Sequence, residues 1–370
     1  MTVDTTILML LVIAILPITG ALLAIIPYLV KKSEVFAVTV PEDSVSDPLI
    51  IKLKRQYVLI VGGATLVLTA LSLVFLLAGS ELGVIISMSS GLLLVCIGSY
   101  GLMLYYRMKV RAHKASEGWE AEVQETTAVV SDMQIPRPVS LGWNLLYVPI
   151  ICVTLAVGWF GYHAMPEQIP MQLGFDGQIS TMVEKSALVI WIPVAIQVFL
   201  GLCFFSSHWI ITRSKHLSDP TAPAASAFAY GMFAHAQSLY LVVGGLALAA
   251  SMVTLPLTFI GIMSLMQATV FILLAALILI AGAMILGVVY GQGGARIFTR
   301  MQESRVLLAD EDEHWKLGVF YFNHDDPSWF LPARFGIGWT CNFARPIVWV
   351  MIIGLVLLSL AFVVVMFALT

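Results

Sequence analysis

Residue types able to do chemistry gather at a few places in this chain of 370 residues. His235 and Ser238 stand three apart, on one face of a helix, where an imidazole can take a hydroxyl proton. No third orienting group and no oxyanion donor accompanies them, and a triad needs both. His314, His324, Asp325 and Asp326 offer imidazole and hard oxygen donors suited to a divalent ion. They meet no ligand-spacing rule, and Asp325-Asp326-Pro327 also reads as an ordinary turn. Gly291-Gln292-Gly293-Gly294 is glycine-rich but lacks the Lys-Ser/Thr of a phosphate loop. With Arg296 near the final carbonyls it reads as the stop of a helix. No H-E-x-x-H and no G-x-S-x-G occurs. The chain is therefore expected to be no enzyme and to hold no metal and no cofactor.

The elements that must position these residues follow from composition. Apolar residues make up 59% of the chain and charged residues only 11%, far from the roughly 45–50% and about 25% of a globular domain. So few charges cannot cover the surface of a water-soluble protein of this size. An integral membrane protein is implied. A helix needs about 20 apolar residues to cross a bilayer, and uncharged runs of that length occur at Ile7–Val30, Tyr57–Ala78, Leu82–Tyr106, Leu141–Met165, Ala187–Ile211, Phe228–Leu255, Leu257–Tyr290 and Pro346–Leu369. The outer end of the seventh, near Pro256 and Thr258, reads as an interfacial lip. Residues 1–6 lack the basic stretch of a cleavable signal, so the first run is expected to be a retained span.

Basic residues set the orientation. Every Lys and Arg except Lys185 falls in residues 31–56, 107–140, just after the fifth span, or 291–345. The positive-inside bias makes these loops cytoplasmic and both termini external. The expected fold is all-α: a polytopic membrane bundle of about eight spans, with a small aromatic-rich cytoplasmic module, 291–345, before the last helix. Small residues four apart, at Gly245 and Ala249 and at Ala283, Gly287 and Gly291, predict close helix packing. The four cysteines, Cys96, Cys152, Cys203 and Cys341, are scattered singly and read as free thiols.

The membrane interior itself carries no acid or base at mid-span, which leaves ion coupling without its usual groups. His163 and His208 sit near span ends beside Trp159 and Trp209; His235 reads as a hydrogen-bonded bundle histidine. Recognition is then expected at the two watery faces. In the outer loop, 166–186, Pro166 and Pro170 force extended backbone and Gly174 and Gly177 flank a turn, so a compact element is expected. Its candidate binding residues are Pro166, Ile169, Pro170, Gly174, Asp176, Gly177 and Lys185. On the inner face, alternation around Val319–Phe322 predicts a strand or hairpin. The density of rings from Trp315 to Phe343 predicts a module packed on the interface. Trp315, Asn323, Asp325, Asp326, Arg334 and Trp339 are candidates there for a partner surface.

The outer-loop pattern P-x-x-I-P-x-x-x-G-x-x-G-x-x-x-x-x-x-x-K resembles the signature of the bacterial membrane family called domain of unknown function 1648, which includes the SdpI-type toxin immunity proteins. Pro166, Ile169, Pro170, Gly174, Gly177 and Lys185 fit it, whereas Ser180 and Met182 stand where relatives often carry Asp and Trp. Pro27-Tyr28-Leu29, Lys31-Lys32, Glu34, Phe36 and Pro41-Glu42 resemble the first juxtamembrane segment of its larger members. Trp315 to Gly318, Phe320 to Asn323, Asp325 to Pro327 and Arg334 to Thr340 resemble a C-terminal module often attached to them.

The resemblance implies bacterial membrane location and a link to peptide-toxin resistance or sensing. The expected function is non-catalytic: an immunity or sensor protein that recognises an antimicrobial or toxin peptide at the outer loop. Two alternatives stand beside it, a permease for a neutral or lipid-like substrate and a membrane anchor sequestering a cytoplasmic regulator. The expected partners are the lipid bilayer, that peptide and such a regulator. Net charge −3, with no basic aromatic stretch, predicts no direct contact with nucleic acid.

Overall fold

The computed structural model describes residues 3–119, 135–174, 178–215, 222–301 and 312–369. Its helices are α1 (Val3–Ile25), α2 (Pro48–Leu77), α3 (Glu81–Ser116), α4 (Tyr147–Gly161), α5 (Trp191–Arg213), α6 (Pro223–Ser251), α7 (Thr254–Phe259), α8 (Leu265–Tyr290), α9 (Ala295–Met301) and α10 (Pro346–Leu369). Short strands form four antiparallel hairpins: β1 (Glu34–Val35) with β2 (Val38–Thr39), β3 (Gln168–Leu173) with β4 (Ile179–Glu184), β5 (Trp315–Lys316) with β6 (Phe320–Tyr321), and β7 (Phe330–Pro332) with β8 (Trp339–Cys341). The helical bundle is as expected, and the hairpins qualify the all-α reading. They sit at the two ends of the bundle, where polar loops must satisfy their own backbone.

Eight helical stretches are long and apolar enough to cross a membrane. Leu77, Phe160 and Phe367 are more than four-fifths exposed on helix exteriors. An apolar exterior of that extent is a lipid-facing surface, not a water-facing one. The first three helices pack together around Leu16, Tyr57, Val84, Val95 and Met103. At Gly245 the small residue acts as read, the space of a side chain being taken by Tyr147 of α4 and Phe204 of α5. At Gly287 that space is taken by Ile337, in the loop between β7 and β8, and by Leu29 just past α1, so it seats a loop rather than a helix. Helix α8 joins the halves by contacting both α1 and α6, and α10 lies on α5, where Phe199 stacks on Phe362 at 4.3 Å.

Helix ends depart from the apolar runs in several places; α2, for one, starts at Pro48 rather than Tyr57. The seventh span begins at Leu265 rather than Leu257, because Ser264 caps it in a reciprocal box with Gln267. Residues 254–259 instead form α7, and Gly261, with φ +78°, turns the chain between them. Helix α3 does not end with the apolar run at Tyr106. Its buried face continues through Arg107 and Val110, so the helix runs on to Ser116.

Candidate functional site

One end of the bundle carries hairpin β3–β4. Ile169 is fully buried, and it packs with Met171 and Val183 onto a cluster that includes Met165, Val189, Ile190 and Phe259. The opposite face of each strand points away, as the two-residue period demands. Gln168, Gln172, Ser180, Met182 and Glu184 are exposed there. The register shifts between Pro170 and Gln172, a bulge where proline supplies no N–H. Gly174 closes the turn by donating its N–H to Gln178 O at 2.7 Å. Asp176 and Gly177 lie outside the described residues. Lys185 fastens the base of the hairpin: Nζ donates to Met165 O at 2.8 Å and sits 5.2 Å from the Tyr162 ring centroid, while its backbone N–H donates to Glu167 O. Pro166 is exposed and Pro170 half-buried. Of the expected binding residues, Ile169 and Lys185 thus build the element, and its exposed face consists of side chains that the motif does not name.

The opposite end joins the four segments expected to be cytoplasmic. Phe36 and Ala37 form the turn between β1 and β2 with φ +48° and +59°, the mirror-image turn that suits a two-residue hairpin loop. Both are buried, with Phe36 against the rings of Tyr57 and Tyr106. Leu317 and Gly318 also have positive φ at the tip of β5–β6. The two tips meet: a side chain on Gly318 would come within 3.0 Å of Ala37 Cβ and 3.3 Å of the Arg107 guanidinium. Arg107, buried on α3, donates to Ala37 O and, at 3.1 Å, to Trp315 O.

Asp312 is the hub beside this junction. Its carboxylate accepts from Thr39 N at 3.0 Å and Thr39 Oγ1 at 2.9 Å, from Lys114 Nζ at 3.2 Å, and from Arg334. Arg334 also lies over the Trp315 ring, 5.0 Å from its centroid. Burial pushes the Asp312 carboxyl up, but Arg334, Lys114 and the Thr39 bonds together outweigh it and hold the group below its ordinary value. Sequence reasoning missed Arg107, Thr39 and Asp312. The only signal for Arg107 was the buried stripe Met103, Tyr106, Arg107, Val110, whose helical spacing runs past the end of the apolar run.

The rest of the module is held by buried amides. Asn342 is wholly buried; its Nδ2 donates to Asn323 O at 2.8 Å and Asp326 O at 3.0 Å, and its Oδ1 accepts from Asn323 N and Ala344 N. Asp326 accepts from Lys215 Nζ at 2.8 Å and Tyr321 Oη at 3.2 Å. Burial raises its pKa, and the bonds from Lys215 and Ser328 more than reverse that. Gln292 in the glycine turn donates to Ala333 O and Gly338 O and accepts from Gly338 N. Arg296 donates to Val288 O at 2.5 Å, the helix-stop role read from the sequence. Among the six residues expected for a partner surface, Trp315, Asp326 and Arg334 are buried inside the module, and Trp339 stacks on Phe233 at 5.2 Å. Asn323 is half-buried and turns the chain by accepting from Asp325 N and Asp326 N. Asp325 is the exposed one.

The membrane histidines hold a crossing segment. His208 contacts Val139 O at 3.0 Å and Asn144 at 2.9 Å, His235 contacts Arg137 O at 2.7 Å, and Ser238 Oγ accepts from Val139 N. His235 and Ser238 therefore face 135–140 as hydrogen-bonding groups. Deeper between α4, α5 and α6, Gln197 donates to Thr154 Oγ1 at 2.6 Å and Ala249 O at 2.9 Å. Among the described residues, no three of His, Cys, Asp and Glu converge as a metal site.

Comparison with known proteins adds one match: residues 324–349 fit a family described as Family of unknown function (DUF5808). That stretch runs from the Asp325-Asp326 turn through Arg334 and Asn342 into the first turn of α10. No curated protein and no solved structure matches the chain.

Proposed function

We propose that this chain is a non-catalytic immunity or sensor protein of a bacterial plasma membrane, recognising a membrane-active peptide at hairpin β3–β4. The observation that carries this is the hairpin itself. It is a two-stranded sheet, anchored on one face by Ile169, Met171 and Val183, with exposed Ile179 and Met182 on the strand farther along the chain. An extended peptide can add to such a sheet by main-chain hydrogen bonds while its side chains meet those apolar positions. The resemblance of the loop to the immunity family supports the same reading. The concentration of basic residues at the opposite end supports an external hairpin.

The test is binding of a panel of cationic and apolar peptides to the purified full-length protein in detergent. At least one peptide should bind the native protein and lose about tenfold in affinity to an Ile179→Lys/Met182→Lys variant, the scale of a lost apolar anchor. A panel that binds neither protein, or both equally, refutes the proposal.

A permease for a neutral or lipid-like substrate is the second reading. It is favoured by three buried polar atoms along α4 and α5 and the turn before them that have no hydrogen-bond partner among the described residues: Asn144 Oδ1, Tyr147 Oη and Gln197 Oε1. Flux of neutral solutes in proteoliposomes, abolished by Gln197→Leu, would establish that reading instead.

A further inference from the structure

Where α1 ends, the chain turns through Pro27 and Tyr28, and Leu29 O accepts from Gln292 N at 2.7 Å. That bond fixes the end of α1 to the glycine turn after α8. Gly291, at φ +67° and ψ 178°, adopts a conformation open essentially to glycine alone. It sends α9 back across the bundle end instead of onward. Tyr28, Val30 and Lys32 then face Ala295, Arg296, Thr299 and Arg300 across a cavity of about 290 Å³. Three cations line it and, among the described residues, no carboxylate does. Lys32 and Arg300 are exposed, and neither is in an ion pair among the described residues.

We propose that this cavity binds the phosphate of an anionic phospholipid headgroup. The chemistry matches, since a guanidinium fork and an ammonium are the usual partners of phosphate oxygens. The position matches too. The cavity lies where two candidate spans leave their apolar stretches, beside Tyr28, a half-exposed ring of the kind that settles at headgroup level. Ile278, Ile285 and Val289 form an exposed strip along one face of α8 that ends next to this turn, a surface for acyl chains. Basic pockets between spans at the positively charged end are sites for lipid phosphates. The site depends on the helices crossing a bilayer and is independent of peptide recognition at the other end.

Native mass spectrometry of the full-length protein, titrated in detergent with phosphatidylglycerol and phosphatidylcholine, tests it. The native protein should retain phosphatidylglycerol preferentially. Lys32→Gln/Arg300→Gln should weaken that retention about thirtyfold, the effect of two basic residues near an anionic lipid surface, with phosphatidylcholine retention and the lipid-free melting temperature unchanged. Lys52→Gln/Arg55→Gln, which removes equal charge from α2, should leave retention near the native level. Equal retention by the native and Lys32/Arg300 proteins would overturn the site, as would an equal loss in the α2 variant. Stabilisation by inorganic phosphate that depends on Lys32 and Arg300, without preference for phosphatidylglycerol, would overturn the lipid assignment.

Discussion

Thr39 gives both its backbone N–H and its hydroxyl to the carboxylate of Asp312, at 3.0 and 2.9 Å, across 273 residues of sequence. This bond set, with Arg334 and Lys114 on the same carboxylate, closes the basic end of the bundle over hairpin β1–β2.

Breaking it should be costly. Asp312→Asn leaves Arg334 buried beside a neutral group, and removing one partner of a buried ion pair costs about 3–5 kcal/mol. The expected outcome is a lower melting temperature in detergent and faster proteolysis within 312–345. Arg107→Met should act in the same direction by stranding Ala37 O and Trp315 O. Native-like protease resistance of both variants would show that the junction contributes little.

The same carboxylates set a pH dependence. Asp312 and Asp326 are both held below the ordinary value of 3.8. A depressed folded pKa contributes stability that is present above the unfolded value and lost as pH falls through the folded one. Protease resistance of the module should stay flat from about pH 8 to about pH 5 and decline only below about pH 4. A midpoint near pH 6 to 7 would assign control to another group.

Asn342 and Asp325 should separate interior from surface. Asn342→Ala strands the polar groups of Asn323, Asp326 and Ala344 and should cost about 3 kcal/mol. Asp325→Asn, at an exposed turn position, should stay within about 0.5 kcal/mol. Unfolding curves of the two variants in one detergent give the comparison directly.

At the other end, Ile169→Ala should loosen hairpin β3–β4 selectively. Truncating a fully buried Ile costs about 2–5 kcal/mol, and here the loss falls on a small local cluster. Hydrogen exchange should rise across 168–184 and stay unchanged in α2 and α3. A global rise would mean that the hairpin is part of the bundle core rather than an element seated on it.

The eight helices long and apolar enough to cross a membrane were legible from length and hydropathy, because a lipid-crossing helix must satisfy its backbone internally over a fixed distance. The helix stop at Gly291 and the extended backbone that follows Pro166 were legible as well, since glycine and proline act locally. The start of α8 was readable in principle from Ser264 and Gln267, but the surrounding apolar residues hid it. The Asp312 hub was not legible. Its partners come from positions 39, 114 and 334, and nothing local in any of those segments announces the others. Trp315, Asp326 and Arg334 looked like surface chemistry because charge and aromaticity mark a binding face and a hydrogen-bonded interior alike.

The meeting of the hairpin tips at Ala37 and Gly318 has a consequence for biosynthesis. Residues 33–40 leave the ribosome early, yet the chain that covers them emerges only after seven apolar helices have been made. A nascent chain interrupted before Asp312 would keep Phe36 packed on Tyr57 and Tyr106 but leave Ala37 uncovered and Thr39 without its carboxylate partner.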